Sequence, residues 1–328
     1  MHDVRMATHH LSKGIDYFSC GRFHEAIKSF DKAIQINPGD FAAWYNRGNA
    51  LHELGRNGEA VASYDKAVQI NPDDPDAWNS RGNALHSLGR YTEAIASNDR
   101  AISINPCESG AWYNRGNALF GLARNEDALA SYDKANQIDP GKSKVWYNRG
   151  IVLHELGRFA DAVASYFKAI RINPKDPDAW YNLGVTLVAL EQYDGAIRSY
   201  DHALQIDPGF ANVWFGRGNV LFRLDRYAEA VASYDNAVKL NPKVIGVWFS
   251  RGNALCRLDR YADAIASFDK ELKVNPKDSD AWNNKGIAFD ELGQPRKALN
   301  AFNKAVSIDP TNDAARSNRE IFLANTDR

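Results

Sequence analysis

The sequence predicts an all-α chain, an α-solenoid of tandem helix-turn-helix repeats. Three observations predict it. Eight tryptophans, Trp44, Trp78, Trp112, Trp146, Trp180, Trp214, Trp248 and Trp282, recur at a constant interval of 34 residues. Eight prolines keep the same step from Pro72 to Pro310, and eight alanines keep it from Ala60 to Ala298. Between these markers the apolar residues follow a helical period.

Each repeat reads as two amphipathic helices. Counting from Trp44 at ~100° per residue, Gly48, Leu51 and Leu54 lie within ~80° of the tryptophan and form one apolar stripe. In the second helix Ala60, Tyr64, Ala67 and Val68 keep the i, i+4, i+7 step. Gly55 and Arg56 mark the turn between the two. Asn71-Pro72 ends the second helix, because the residue before proline is pushed out of the helical region. Gly48 inside a helix costs ~1 kcal/mol against alanine. Every repeat nevertheless holds glycine there, from Gly14 to Gly286. That predicts close approach by the partner helix, whose matching face carries Ala60. Pro295 opens a second helix in its first turn, where proline is tolerated.

The stretch before Trp44 fits the frame through Gly14, Tyr17, Ala26, Phe30, Ala33 and Pro38, with His10 in the tryptophan slot. The expected organisation is therefore an N-terminal tail (1–6), nine repeats (7–40, 41–74, 75–108, 109–142, 143–176, 177–210, 211–244, 245–278 and 279–312) and a C-terminal capping helix (313–328). A two-helix unit cannot bury both faces alone, so stacked repeats share a core and the ends turn a polar side outward. In the cap, Ile321, Phe322 and Leu323 are expected to dock on the last repeat, with Arg316, Arg319 and Glu320 facing water.

These residues resemble the tetratricopeptide repeat (TPR) family, whose pattern runs Trp, Leu-Gly, Tyr, Ala, Phe, Pro at set offsets. One unit here reads Trp44, Gly48, Ala60, Tyr64, Pro72, and the likeness covers about nine-tenths of the chain. Two slots depart from the family. The leucine before glycine is arginine at Arg47, Arg81, Arg115, Arg149, Arg217 and Arg251, lysine at Lys285, and leucine at Leu183. The family tyrosine is Leu51 and its counterparts, with Phe289 in the last repeat. The resemblance implies a right-handed superhelix whose first helices line the concave side.

Composition narrows the function. The formal net charge is −1, which gives no global bias toward nucleic acid. No run approaches the ~20 apolar residues of a membrane helix. Cys20, Cys107 and Cys256 have no metal-site spacing, and three thiols with no short spacing fit a reducing compartment. A cytoplasmic protein without metal or cofactor is expected. No nucleophile elbow, Gly-rich phosphate loop or HExxH motif occurs, so the chain is expected not to be an enzyme.

What remains is the opposite face of the first helix. One residue after each tryptophan come aromatics such as Tyr45, Tyr113, Tyr147 and Tyr181. Two after come Asn46, Asn114, Asn148, Asn182 and Asn284; five after come Asn49, Asn83 and Asn117; eight after come His52, His86 and His154. Ten of the sixteen slots at +2 and +5 are asparagine, although asparagine is a poor helix former. An amide both donates and accepts, so it can read a peptide backbone. The pattern is similar to the asparagine ladder in the TPR arm of O-GlcNAc transferases, and the resemblance implies that role for Asn46, Asn114, Asn148, Asn182 and Asn284, with Asn49, Asn83 and Asn117 beside them. Ser80, Gly216 and Ser250 interrupt the ladder.

The expected partner is a protein or peptide, taken as an extended segment or short helix. Alternatives are a substrate-targeting arm for a separate or missing catalytic subunit and a rod that self-associates through its end repeats, with monomer or weak homo-oligomer both open. The basic first-helix positions of chaperone-tail binders are filled here by Tyr45 and its equivalents. Each slot also has a purely structural reading: amides bonded to neighbouring helices, tyrosines packed between first helices, arginines stacked on tryptophan rather than forming a phosphate stripe. His52 and His86 lack a third metal ligand, and His2, His9 and His10 form a terminal cluster.

Three residues break their own repeat. Glu271 replaces a small alanine, Asn98 replaces a Tyr64-type aromatic, and Asn136 replaces a Val68-type aliphatic. A carboxylate in a packed slot is costly unless paired. Glu271→Ala is therefore expected to raise the thermal midpoint; a clear fall in the melt would show that the carboxylate has a partner.

Overall fold

Apolar stripes at helical spacing, closed by short turns, leave the chain few options besides helix hairpins. A computed structural model describes residues 2–326. Met1 of the expected tail, Asp327 and Arg328 of the expected cap, and the His2 side chain of the terminal histidine cluster lie outside the described residues. The chain divides into two compact units between Pro174 and Lys175.

The N-terminal unit contains α1 (His2–Ser19), α2 (Phe23–Ile36), α3 (Phe41–Glu53), α4 (Asn57–Ile70), α5 (Pro75–Ser87), α6 (Tyr91–Ile104), α7 (Ser109–Gly121), α8 (Asn125–Ile138), α9 (Ser143–Glu155) and α10 (Phe159–Ile172). The C-terminal unit contains α11 (Pro177–Ala189), α12 (Tyr193–Ile206), α13 (Ala211–Arg223), α14 (Tyr227–Leu240), α15 (Val247–Cys256), α16 (Tyr261–Val274), α17 (Ser279–Glu291), α18 (Pro295–Ile308) and α19 (Asp313–Thr326). Within each unit every helix packs on the next, and successive first helices also touch, as α5 does α7 and α13 does α15. Each unit is a solenoid stack of hairpins. The expected tail, residues 1–6, is helical from His2 onward as the start of α1.

The turn after each first helix is closed by a residue in the left-handed region. Gly55 has φ +70°; its N–H donates to the His52 carbonyl and that of Arg56 to Leu51, which satisfies the orphan carbonyls of the helix end. Four hairpins use a non-glycine there, Ala123, Glu191, Asp225 and Asp259, at φ between 56° and 58°. Each stores about 1 kcal/mol of strain.

The tryptophan and proline periods share one cause. Within each unit the indole N–H donates to the proline carbonyl six residues earlier, as from Trp44 to Pro38 at 2.9 Å, Trp112 to Pro106 at 3.0 Å and Trp248 to Pro242 at 3.0 Å. The ring of one repeat thus pins the loop that ends the repeat before it.

The interior glycine has a different partner from the one expected. A Cβ at Gly48 would lie 2.5 Å from Tyr64 Cε1, and one at Gly252 2.5 Å from Phe268 Cε1. The ring of the second helix, rather than its alanine face, lies against the glycine. Tyr64 is 1% exposed and Phe268 is fully buried.

The three irregular residues sit in this core. Asn98 is fully buried; its amide donates to the Ala94 carbonyl at 2.9 Å, and its Oδ1 has no hydrogen-bond partner. Neither amide atom of Asn136 has one. Glu271 is buried, and burial raises its carboxyl pKa, with Asp278 adding to the shift. A raised folded pKa means that the ionised carboxylate is the costly form, so its cost is present above the folded pKa and fades as pH falls toward the ordinary value of 4.5.

In the cap, Phe322 is buried, with its ring 5.8 Å from Phe302. Ile321 is 58% exposed and Leu323 39%. Three consecutive helical residues span about 200° and cannot all face the core. Arg319, expected in water, is half-buried with an unpartnered Nε, whereas Arg316 and Glu320 are exposed.

Gly116→Ala would place a methyl 2.6 Å from Tyr132 Cε1. The ~1 kcal/mol gained in helix propensity is outweighed by overpacking worth about 1–3 kcal/mol or more. A net loss of stability is expected in denaturant unfolding. Gly82→Ala, which meets the smaller Asn98, should lose less; equal losses would count against the ring as the controlling contact.

Candidate partner-binding face

The first-helix slots come together on one face of each unit, held by bonds reaching 15, 31 or 35 residues along the chain. In the N-terminal unit the Tyr64 hydroxyl donates to Asn49 Oδ1 at 2.7 Å and the Tyr132 hydroxyl to Asn117 Oδ1 at 2.7 Å. Asn148 Nδ2 donates to the same Asn117 oxygen at 2.9 Å and to the Tyr113 hydroxyl at 3.2 Å. Asn114 Nδ2 reaches Asn79 Oδ1 at 2.8 Å. Asn46 serves its own helix, donating to the Ala42 carbonyl at 2.8 Å. In the C-terminal unit Asn182 does likewise to Asp178 at 3.0 Å, and Asn284 donates to Asn253 Oδ1 at 2.8 Å.

Asn83 takes a different partner because its hairpin holds Asn98 where a tyrosine would stand. Its amide lies 3.2 Å from His52 Nε2, while His52 Nδ1 lies 2.7 Å from Asn57 Oδ1. A neutral imidazole donating from Nδ1 satisfies both neighbours. His86 packs on Tyr91 and His154 on Phe159, with ring centroids 5.3 and 5.2 Å apart. Burial holds His86 below the ordinary imidazole range. Among the described residues no group of three or more His, Cys, Asp or Glu is placed to hold a metal.

The tyrosines pack as well as face outward. Tyr45 lies 6.0 Å from Tyr64 and is stacked on Phe41 at 5.8 Å. Tyr113 lies 6.0 Å from Tyr132, Tyr147 6.1 Å from Tyr166, and Tyr181 6.1 Å from Tyr200.

The arginine slot is an inter-hairpin bridge. Arg47 Nε donates to Asp31 at 2.7 Å and its Nη1 to Ser63 at 2.7 Å. The same pair of bonds recurs at Arg81, Arg115 and Arg149, and in the C-terminal unit at Arg217 and Arg251. The guanidinium carbons lie 5.8–6.0 Å from the tryptophan rings at Arg47, Arg81, Arg115 and Arg149. Committed to carboxylates, these arginines are not a free phosphate-binding stripe.

One cavity type recurs along the face. In the N-terminal unit a space of about 230 Å³ is lined by His86, Asn117, Phe120, Tyr132, Asn148 and Ile151. In the C-terminal unit the equivalent slots line two more, one of about 260 Å³ around Asn219, Phe222, Tyr234 and Asn253, the other of about 270 Å³ around Asn253, Cys256, Asn284 and Ile287. Burial pushes the Cys256 thiol up to about 11, so it is protonated and unreactive at neutral pH. Phe120 and Ile151 were not among the expected site residues; the signal was their departure from the histidine and asparagine that share their slots.

The repeat is also found by comparison with known proteins. Sequence models described as TPR repeat match residues 14–55, 48–89 and 152–190, and models described as tetratricopeptide repeat match 75–106, 109–142, 131–164, 181–245 and 279–312. The chain belongs to the tetratricopeptide repeat family. A TPR array of this kind is a protein-interaction scaffold. No curated protein matches this TPR chain in sequence. Among solved structures it is similar to YrrB, a TPR protein with an unusual peptide-binding site, at 23% identity and TM-score 0.54, over 58% of this chain and 99% of that one. It is similar to the C-terminal part of a TPR repeat-containing protein from Cytophaga hutchinsonii, at 18% identity and TM-score 0.55, over 84% and 98%. The Cut9–Hcn1 hetero-tetramer of the APC/C gives 15% identity and TM-score 0.53, over 97% and 76%. At these identities the likeness shows the fold.

Asn117→Ala removes the acceptor of both Tyr132 and Asn148 and should cost about 1–3 kcal/mol. Asn46→Ala removes one bond to its own helix and should cost under about 1 kcal/mol. Urea unfolding of the two variants tests the difference; equal costs would show that the inter-hairpin amide bonds add nothing.

Proposed function

We propose that this TPR chain is a non-enzymatic scaffold that takes an extended peptide or a short helix of a protein partner along its first-helix face. The observation that carries the reading is the recurrence of one cavity in equivalent slots. Each combines apolar walls with amides that are only half used. Asn117 accepts two bonds through its oxygen, and its NH₂ has no partner among the described residues; Asn148 donates twice, and its oxygen has none. An apolar pocket with a few placed polar groups suits a side chain flanked by peptide backbone. The peptide-binding site named for YrrB supports the same choice of ligand. In the N-terminal unit Tyr45, Asn46, Asn49, His52, Asn83, Tyr113, Asn114, Tyr147 and His154 share this face and would border a segment bound there; Tyr181 and Asn182 hold the equivalent slots in the C-terminal unit.

Selection of a displayed random-peptide library on the wild-type protein, followed by fluorescence anisotropy, tests the proposal. Phe120→Glu and Ile151→Glu place charge on the cavity wall and should weaken selected peptides by about tenfold or more. Equal binding by the folded variants, or no selectable peptide, would overturn it.

A further inference from the structure

The two hollows of the C-terminal unit are linked, and their rim differs from that of the N-terminal unit. The first, about 260 Å³, lies between α13 and α15, with Asn219 and Phe222 on one side, Ser250 and Asn253 on the other, and Tyr234 among its walls. The second, about 270 Å³, lies between α15 and α17, among Asn253, Cys256, Asn284 and Ile287. Phe222 and Asn253 line both. Asn253 Oδ1 accepts from Asn284 at 2.8 Å, and Asn219 Oδ1 from the Tyr234 hydroxyl at 2.9 Å; the NH₂ of each has no partner among the described residues.

Each hollow has one arginine on its rim, Arg223 at the first and Arg257 at the second. Both stand nine residues after a tryptophan, a slot that holds Glu53, Ser87, Gly121 and Glu155 in the N-terminal unit. Arg223 is exposed and makes no ion pair among the described residues. Arg257 reaches Asp225 only at 3.9 Å, with both side chains more than half exposed, and such a pair contributes little. The Asp225 carboxylate instead accepts from the Tyr227 hydroxyl. The Arg257 guanidinium lies 4.6 Å from the Tyr227 ring centre, and that ring meets Phe222 edge-on at 5.3 Å. Stacking holds the cation beside the apolar wall and leaves its N–H donors unspent. Glu291 takes the same slot in the last repeat, so the basic run ends at Arg257.

We infer that these two hollows hold two apolar side chains, three positions apart, of one extended acidic segment of a partner protein, whose carboxylates pair with Arg223 and Arg257. The inference rests on the reading of the first-helix face as a peptide-binding face and adds the kind of peptide it takes. Charge selects the occupant: two uncommitted guanidinium groups beside apolar walls suit carboxylates set next to apolar residues. Spacing follows from the stack. Successive first helices touch, so the hollows are one helix-to-helix step apart, ~8–10 Å. A polyproline II segment advances ~3.1 Å per residue with three residues per turn, so side chains at i and i+3 share a face ~9 Å apart. A β-strand returns to the same face every second residue, ~6.6 Å, and falls short. Polyproline II also leaves its own carbonyls unbonded, and the open NH₂ groups of Asn219 and Asn253 can donate to them.

The probe is a fluorescein-labelled, amidated peptide, GELPELEG, followed by anisotropy at low salt; its leucines stand three apart. Arg223→Gln/Arg257→Gln should weaken binding about fivefold, and the glutamine peptide GQLPQLQG should bind the wild type more weakly by about the same factor. Phe222→Glu, which charges both hollows, should weaken binding about tenfold or more. GELPLEEG has the same composition with its leucines two apart, loses one anchor and should bind about tenfold more weakly. Lys239→Gln/Lys273→Gln removes the same charge from the second helices of the same hairpins and should leave binding within about twofold. Circular dichroism melts confirm that each variant is folded. No binding of GELPELEG, equal losses in the two double variants, or equal binding of the glutamine or the rearranged peptide would overturn the inference. If library-selected peptides still bind and lose affinity in Phe222→Glu, the peptide-binding reading stands without it; if none is selected, both fall.

Discussion

An aromatic ring seated on a bare glycine governs every hairpin except the one that holds Asn98. Tyr64 on Gly48, Tyr132 on Gly116, Tyr234 on Gly218 and Phe302 on Gly286 bring the second helix close enough that no methyl group fits between. The glycine gives up helix propensity to admit the ring. At Tyr64, Tyr132 and Tyr234 the ring's hydroxyl donates to the amide oxygen of Asn49, Asn117 and Asn219 on the far side. One side chain thus joins the two helices and anchors the outward face. Its replacement by Asn98 shows the dependence: Asn83 turns to His52, and a buried carbonyl is left unsatisfied.

A second set of contacts ties one hairpin to the next. Arginine, aspartate and serine repeat as a bridge in which the arginine is mostly covered, as at Arg81, 19% exposed. Exposed ion pairs contribute little, but a half-covered guanidinium bonded to two groups also sets direction, because its geometry admits only one approach. The bridge consumes positive and negative charge in equal measure. That is why these arginines add no net charge to the surface.

Under the proposed function the asparagines combine structure with recognition. Asn46 and Asn182 commit the amide N–H to their own helix, whereas Asn117 and Asn148 commit one end to a neighbouring hairpin or helix and keep the other end open beside an apolar hollow. A rigid frame with half-used amides can accept a peptide with little reordering of its own, which is the condition under which modest contacts give useful affinity.

Much of this was legible in the sequence. The 34-residue step of Trp, Gly, Ala and Pro placed both helices of every repeat, because helix periodicity and proline or glycine punctuation are local properties. Local reasoning also put the Tyr, Asn and His slots on one face. It did not foresee that α1 would begin at His2, nor that Ile321 would stay exposed while Phe322 was buried, since both depend on what lies opposite. It paired Gly48 with Ala60, whereas the ring that fills the gap comes from Tyr64, a choice made by volume in the assembled pair. The sequence by itself determined the repeat, its two helices and the chemistry of its outward slots. Only the tertiary structure decided which atom of each amide is spent and where hollows open, because those bonds join side chains 31 and 35 residues apart that meet only when hairpins stack.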